Sequence, residues 1–483
     1  MGVGHSAISQ IEAMRQGRLS PSAIVEEALD KVAQINPLVN AVVTLAETRA
    51  REEAEFWDRQ WASGNDLPAL AGLPVLIKDN QNTQDLRTTL GSKNYLNHVP
   101  SKDAGIVLRL RRAGAIVLGK TNIPEYSIGA NTVNSIFGAT VNPFDTSKTC
   151  GGSSGGSAVA VATDMTKLAT GSDHGGSLRI PSSYCGVVGY RASPGVVPNE
   201  ERRTPVTYYS VQGPISQNVR DAALMLSVIA DRRHGGDRDP MASPLETQRF
   251  RHLEQVDLSQ LRVAVSADLG GLLVSKNTKE LFADRIQRLA SFFAVCDWFD
   301  IDLTAAPDVD WHLRQDVFVS QYFEEAKSWD ESVNPNILQT YEAARASSME
   351  SIAEARYRQM QPIQQCYDFF RQYDLLITPC VGVQPFSWKQ GYPNTLEGKE
   401  ILNYMSWLQL TSSLTVVGLP VITIPMGRDS DGMPFGVQLV GARYQDHRLL
   451  SVAHAIEVKC ETDEALIRPL PNTDDLDLLD ASR

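Results

Sequence analysis

Two glycine- and serine-dense segments, CGGSSGGS (150–157) and GSDHGGS (171–177), constrain this chain more than any other feature. They flank the apolar stretches AVAVA and KLAT, so they are not linkers between independent units. Glycine in such places lets backbone approach backbone closely and turn its N–H groups inward. Serines set among those donors are candidate nucleophiles. The fold must therefore bring two tight loops together at the ends of buried elements.

The surrounding pattern says what those elements are. LPVLI (73–77), a helix-like run holding Ile106, Val107, Leu108 and Leu110 behind a Ser101 cap, and AIVLG (115–119) read as a βαβ unit with a parallel pair. Further strands are expected at Leu375–Thr378, Val421–Ile424 and Gly436–Val440, the last followed by a helix with Leu449, Leu450, Ala453 and Ile456 on one face. Segment 276–372 patterns as mostly helical. Near the start, Ser20-Pro21 caps a helix carrying Ile24, Ala28, Val32 and Ile35, and Asn36-Pro37 is expected to stop it. No Pro/Gly/Ser linker divides the chain. The expected fold is a single large α/β domain, a mixed, mostly parallel β-sheet covered by helices on both faces. Residues 1–60 form an N-terminal helical segment packed on the core, 61–470 the main domain, and 471–483 a polar, acidic tail.

Composition narrows the function. The 483 residues carry 45 Lys and Arg against 57 Asp and Glu, a net charge of −12, with 42% hydrophobic and 21% charged residues. An acidic chain of globular composition is a poor primary partner for nucleic acid or an anionic membrane. MGVGHSAISQ has no basic flank or apolar core of a signal peptide, and no run approaches a membrane span. Met1-Gly2 with Ser6 matches the loose myristoylation pattern, one that short sequences often meet by chance. Six cysteines without a CxxC pair read as reduced thiols in a cytoplasmic protein. The eight histidines show no HxH or HExxH spacing, so no metal and no cofactor is expected.

Four chemistries compete for the loops. A phosphate loop needs the lysine of GxxxxGK[ST], which neither segment supplies. Gly151-x-Ser153-x-Gly155 matches the nucleophile elbow of α/β-hydrolases, but the polar NPFDTSKTC precedes it where a buried strand is required; His234, His252, His312, His447 and His454 leave a triad histidine open. A binding module without chemistry is not excluded by composition. A serine–lysine hydrolase is the fourth. Lysine acts as a base only when neutral, and at its ordinary pKa only about one molecule in a few thousand is neutral at pH 7. Burial can lower that pKa by about 3 units. Lys78 and Lys120 both end apolar strand-like runs, and periodicity does not choose between them.

The motifs GLPVLIKDN, LGKTNIPEYS, NPFDTSKTCGGSSGGSAVAVA, DHGGSLRIP, GYRASPGVVP, SVQGPIS and GLPVITIP, in this order, resemble the amidase signature family along most of the chain. The resemblance implies a Ser–Ser–Lys triad, with Ser177 as nucleophile, Ser153 as the bridging serine at a cis Gly152–Ser153 peptide, and Lys78 as base. It implies an oxyanion hole from the backbone N–H groups of His174, Gly175, Gly176 and Ser177. Ser154, Asp173 and Arg179 are expected to order the loops, and Asn122, Tyr126 and His174 to reach substrate. His174 stands where the family often has a small or apolar residue. Cys150 stands where proline is common and is expected to be inert packing. Trp311, Phe318, Tyr322 and Phe323 form an aromatic stripe expected to be core, and pocket walls are expected from 126–135, 310–370 and 400–415. The glutaminase branch of the family carries Gln at the position of Ile180 and SLDQxGP where this chain has SVQGPIS. Those departures favour a stand-alone amidase cleaving a small-molecule carboxamide through a Ser177 acyl-enzyme; the alternative is the glutaminase (A-type) subunit of a tRNA-dependent amidotransferase. The expected partners are then a small-molecule amide and at most a second copy in a homodimer, with no nucleic acid and no membrane.

Overall fold

The computed structural model describes residues 6–476 apart from Asn65 and His234. Met1-Gly2 of the lipidation pattern, His234 and the tail beyond residue 476 lie outside the described residues.

Eleven strands make one sheet: β1 (Val42–Leu45), β2 (Pro74–Lys78), β3 (Ile116–Thr121), β4 (Leu168–Asp173), β5 (Val188–Arg191), β6 (Val211–Ser216), β7 (Arg262–Val265), β8 (Val295–Trp298), β9 (Leu375–Pro379), β10 (Val421–Arg428) and β11 (Pro434–Val440). Their spatial order is β1-β3-β2-β4-β6-β5-β10-β11-β9-β7-β8. The single α/β domain and the mixed sheet are as expected. The parallel pairings form two blocks, β3-β2-β4 and β9-β7-β8. The edge strand β1 and the whole centre, β4-β6-β5-β10-β11-β9, are antiparallel, a larger share than the apolar runs suggested. Strands β4, β5 and β6 carry Gly, Ser and Arg, so apolar periodicity did not mark them.

Helices cover both faces. Alternate residues along each strand enter different cores, as a period of two requires. Val75 and Ile77 pack with α1 (Ala7–Arg15) and α4 (Gly105–Arg112), whereas Leu76 packs with α2 (Pro21–Val39), α3 (Glu47–Ala62) and α5 (Gly155–Ala162). Val263 and Val265 join the first core, and Ala264 faces the core under α7 (Ala306–Gln321) and α8 (Gln409–Val416). Pro37 does not stop α2. It sits within the last turn, and Asn40, left-handed at φ 52°, ends the helix three residues later. α4 is capped at Ala104, not Ser101. Among the described residues no helix is long and apolar enough to cross a membrane.

The two glycine–serine loops meet at the C-terminal ends of β2 and β4. The first, following Cys150, leads into α5; the second leaves β4 and leads into α6 (Arg179–Tyr184). The Ser154 N–H donates to the Ser177 carbonyl at 3.2 Å, joining them directly.

Candidate active site

The register of two adjacent strands separates the candidate lysines. In the parallel pair β2–β3, Ile77 stands opposite Lys120 and Lys78 opposite Thr121. A one-residue offset sends a side chain to the other face. Lys78 therefore points to the α5 side, where the serines are, and Lys120 to the opposite side. Lys120 Nζ donates to the Gln81 carbonyl, to Thr83 Oγ1 at 2.9 Å and to Thr88 Oγ1 at 3.1 Å. It stitches the turn after β2 and touches no serine of the loops.

Lys78 has no exposed surface. Its Nζ lies 2.8 Å from Ser153 Oγ, 2.8 Å from Ser154 Oγ and 2.9 Å from Ser172 Oγ. Its own N–H donates to Thr170 Oγ1 at 2.9 Å. Thr170 and Ser172, two apart on β4, share one face of the strand. Burial lowers the Lys78 pKa from 10.5 to about 7, with the Asp173 carboxylate opposing the shift. The Gly152–Ser153 peptide is cis. Ser153 is 1% exposed, and Ser177 is half-buried, open to a cavity of about 470 Å³ that Ser153 also lines.

The Ser177 loop is held by a buried charge cluster. Asp173 Oδ2 accepts from Arg179 Nε at 3.0 Å and Oδ1 from Arg191 Nη1 at 3.1 Å, all three side chains fully buried. Burial alone would raise the Asp173 pKa, but Arg179 and Arg191 outweigh it and hold the carboxyl well below the usual carboxylate range. Arg179 also bonds Gln438 Oε1 and Thr415 Oγ1, and Thr411 Oγ1 donates to the Gly175 carbonyl at 2.7 Å, so α8 pins the loop from behind. Gly176 has φ +131°, and a Cβ there would stand 2.5 Å from Thr411 Oγ1; only glycine fits.

The same carboxylate corrects one expectation. The Gly176 N–H donates to Asp173 Oδ1 at 2.9 Å and the Leu178 N–H to Oδ2 at 3.2 Å. Gly176 is thereby taken out of the expected oxyanion hole. Among the described residues nothing accepts from the N–H groups of Gly175 and Ser177.

Three residues were expected to reach substrate. Asn122 does not line the cavity. Its side chain is spent on Gly138, Thr140, Ile123 and Asn134, knitting the strand end to the neighbouring loop. Tyr126 does line it, packed against Tyr95, Tyr322 and Trp329. His174 lines it too: its ring stacks on Tyr209 at 4.8 Å, and Nδ1 lies 2.7 Å from Ser210 Oγ. Burial, with Arg314 and Arg191 nearby, pushes its pKa well below the usual value, so the ring is neutral. Ser154 holds Lys78, and Asp173 and Arg179 order the loop. The buried Cys150 thiol is pushed up to about 12 by burial.

The aromatic stripe divides. Phe318 and Tyr322 line the cavity, whereas Phe323 is 59% exposed. The cavity wall uses parts of all three expected segments, and also Asn82 and the loop 199–209, which no motif had indicated, together with Asn80, Ser172 and Ser210–Gln212 from the quoted motifs, for which no place in the cavity wall was expected. Ser172 lies within the second glycine–serine segment, and its spacing of two from Thr170 on the strand that ends there puts the two side chains on one face.

A family model for amidases matches residues 23–450. The chain belongs to the amidase family. It is an enzyme acting on amide C–N bonds. The A subunit of glutamyl-tRNA(Gln) amidotransferase from Prochlorococcus marinus (strain MIT 9303) is 33% identical to it over 92% of this chain and 95% of that protein. Among solved structures, a bacterial aryl acylamidase of the amidase signature family is similar at a TM-score of 0.85 and 26% identity, over 94% of this chain and 96% of that one. The A subunit of glutamyl-tRNA(Gln) amidotransferase from Thermotoga maritima is similar at a TM-score of 0.75 and 26% identity, over 96% and 97%.

These relatives overturn the expected stand-alone amidase, and with it a small-molecule amide as sole partner, the homodimer and the exclusion of nucleic acid. Several relatives 28–33% identical over 91–92% of this chain are A subunits of that amidotransferase by name. The expectation leaned on Ile180 and on SVQGPIS. Ile180 and Ser210–Gln212 line the cavity, where individual residues can change without changing the rest of the chain. The net charge of −12 describes this chain's own surface and is silent on subunits beside it.

Proposed function

We propose that this chain is the amide-cleaving A subunit of a tRNA-dependent amidotransferase, releasing ammonia from the carboxamide of glutamine while partner subunits hold the aminoacyl-tRNA. The observation that carries this reading is the end-to-end likeness to the A subunit of glutamyl-tRNA(Gln) amidotransferase, 33% identity over 92% of this chain and 95% of the relative. We place it in the cytoplasm, in keeping with six unpaired cysteines, five of them buried.

The chemistry follows from an uncharged amine beside two loops. With a pKa of about 7, about half of Lys78 is neutral at pH 7, against about one in a few thousand for an exposed lysine. A neutral Nζ has two N–H bonds for Ser154 and Ser172 and one lone pair for the Ser153 hydroxyl. Lys78 takes the Ser153 proton as Ser153 takes that of Ser177, and Ser177 Oγ attacks the carboxamide carbonyl. The Gly175 and Ser177 N–H groups receive the oxyanion; losing one such donor costs about 3–4 kcal/mol of transition-state stabilisation. The relay then returns a proton to the leaving nitrogen, ammonia departs, and water hydrolyses the Ser177 acyl-enzyme. Ser154 and Ser172 hold Lys78, and Asp173 with Arg179 holds the nucleophile loop.

The test is co-expression with the subunits that co-purify, followed by amidation of glutamyl-tRNA with glutamine as nitrogen donor. Glutamine-dependent amidation lost in Ser177→Ala is the expected result. A chain that purifies alone, cleaves simple amides and never supports amidation would overturn the reading.

A further inference from the structure

The cavity wall beside Lys78 carries two amide oxygens without donors. Asn80 follows β2 by two residues, and its Nδ2 donates to Ser172 Oγ at 3.0 Å. Gln212 on β6 stands directly opposite Ser172 on β4 in antiparallel register, so their side chains rise from the same face as close neighbours. Ser172 Oγ is itself 2.9 Å from Lys78 Nζ. Asn80 and Gln212 thus flank the hydroxyl that holds the lysine, and both line the cavity that Ser153 and Ser177 share. Gln212 is nine-tenths buried. Among the described residues no donor reaches Asn80 Oδ1 or Gln212 Oε1. Buried acceptors are nearly always satisfied, and exceptions at a catalytic cavity call for an incoming donor.

The donor is neutral. Two of the carboxylates lining the cavity are paired with guanidinium groups, Asp173 with Arg179 and Arg191 and Glu325 with Arg203, while Glu201 is exposed and accepts from the Asn82 amide. An ammonium on this wall would find the buried carboxylate, Asp173, already paired and would lie close to an amine that must itself stay uncharged. A carboxamide –NH2 brings two N–H groups and no charge. It is also the group that must sit near Ser153 to receive the relayed proton.

We propose that Asn80 Oδ1 and Gln212 Oε1 are specificity-determining acceptors that read the N–H bonds of a primary carboxamide's leaving nitrogen. This rests on the reading of the chain as a glutaminase and names the residues that hold the scissile –NH2. Holding both N–H bonds turns the nitrogen lone pair towards Ser153 as it pyramidalises. A leaving group without N–H bonds gains nothing from the pair.

The experiment compares two leaving groups on one acyl group, using the chain with whatever subunits co-purify. kcat/KM is measured for L-glutamine and for the γ-methyl ester of L-glutamate. Gln212→Met is expected to lower the amide-to-ester ratio about tenfold, the loss of about one hydrogen bond in the transition state. Gln212→Glu, which keeps an acceptor, is expected to hold the ratio within about threefold. Because the ratio is internal, partial loss of folded protein cancels. An unchanged ratio in Gln212→Met, or equal losses on both substrates, overturns the proposal. Hexanamide and methyl hexanoate repeat the ratio without glutamine: turnover of this pair with glutamine inert would sink the glutamine reading and leave the acceptor pair standing. Crystals of Ser177→Ala soaked with hexanamide give a readout free of turnover. The amide nitrogen is expected against Asn80 and Gln212; the oxygen there, or a cavity that binds no amide, overturns the proposal.

Discussion

Replacing Lys78 by methionine should abolish turnover and, at acid pH, make the protein more stable. Folding moves this amine from an ordinary pKa of 10.5 to about 7, because burial strips its water and no carboxylate touches it. Between pH 7 and 10.5 the unfolded chain binds a proton here that the folded chain has shed. Stability from this site therefore rises with pH across that window and is lowest below pH 7. A shift of this size costs the folded state about 5 kcal/mol at pH 6 and about 2 kcal/mol at pH 9. Methionine removes the cost but also the hydrogen bonds to Ser153, Ser154 and Ser172, about 1 kcal/mol each. The variant should be about 2 kcal/mol more stable than the parent at pH 6 and about 1 kcal/mol less stable at pH 9. Urea unfolding of both proteins at the two pH values reads this directly, and every other titrating group cancels in the difference. A stability gap that does not change between pH 6 and pH 9 would refute the neutral, desolvated amine.

Three further outcomes follow from the same structure. Lys120→Met should slow turnover several-fold by loosening the Gln81–Thr88 turn, yet leave the alkaline rise of kcat/KM centred near pH 7; a moved midpoint would put Lys120 in the relay. Asp173→Asn strands two buried guanidinium groups and should cost about 3–5 kcal/mol in urea unfolding, so an unchanged midpoint would contradict the charge cluster. The Cys150 thiol, buried and raised to about 12, should resist iodoacetamide at pH 8 until the protein unfolds, and rapid labelling of the native protein would show the loop is open.

How much of this was legible beforehand depended on the residue. The parallel β2–β3 pair was readable because apolar runs of five residues flank an amphipathic helix. That Lys78 and not Lys120 meets the serines was not readable from periodicity, since both end such runs; a one-residue difference in register decides it. Strands β4 and β6 escaped because Ser172 and Gln212 are polar residues lining the cavity and Thr170 bonds the Lys78 backbone, so the alternation that marks a strand is given up to the site. Gly176 was expected in the oxyanion hole from the family resemblance, which does not show that Asp173, three residues back, folds over to accept its N–H. The loop 199–209 has no motif, and only the folded chain brings it to the cavity. The choice of a stand-alone enzyme failed for a different reason: two cavity positions were weighed against a likeness that spans the whole chain.

The most direct measurement is the pH dependence of covalent labelling by a fluorophosphonate, with the modified residue located by mass spectrometry. The account predicts an adduct on Ser177 whose rate of formation rises with a midpoint near pH 7 and collapses in Lys78→Met. Labelling of another side chain, or a Ser177 adduct whose rate keeps climbing towards pH 10, would contradict it.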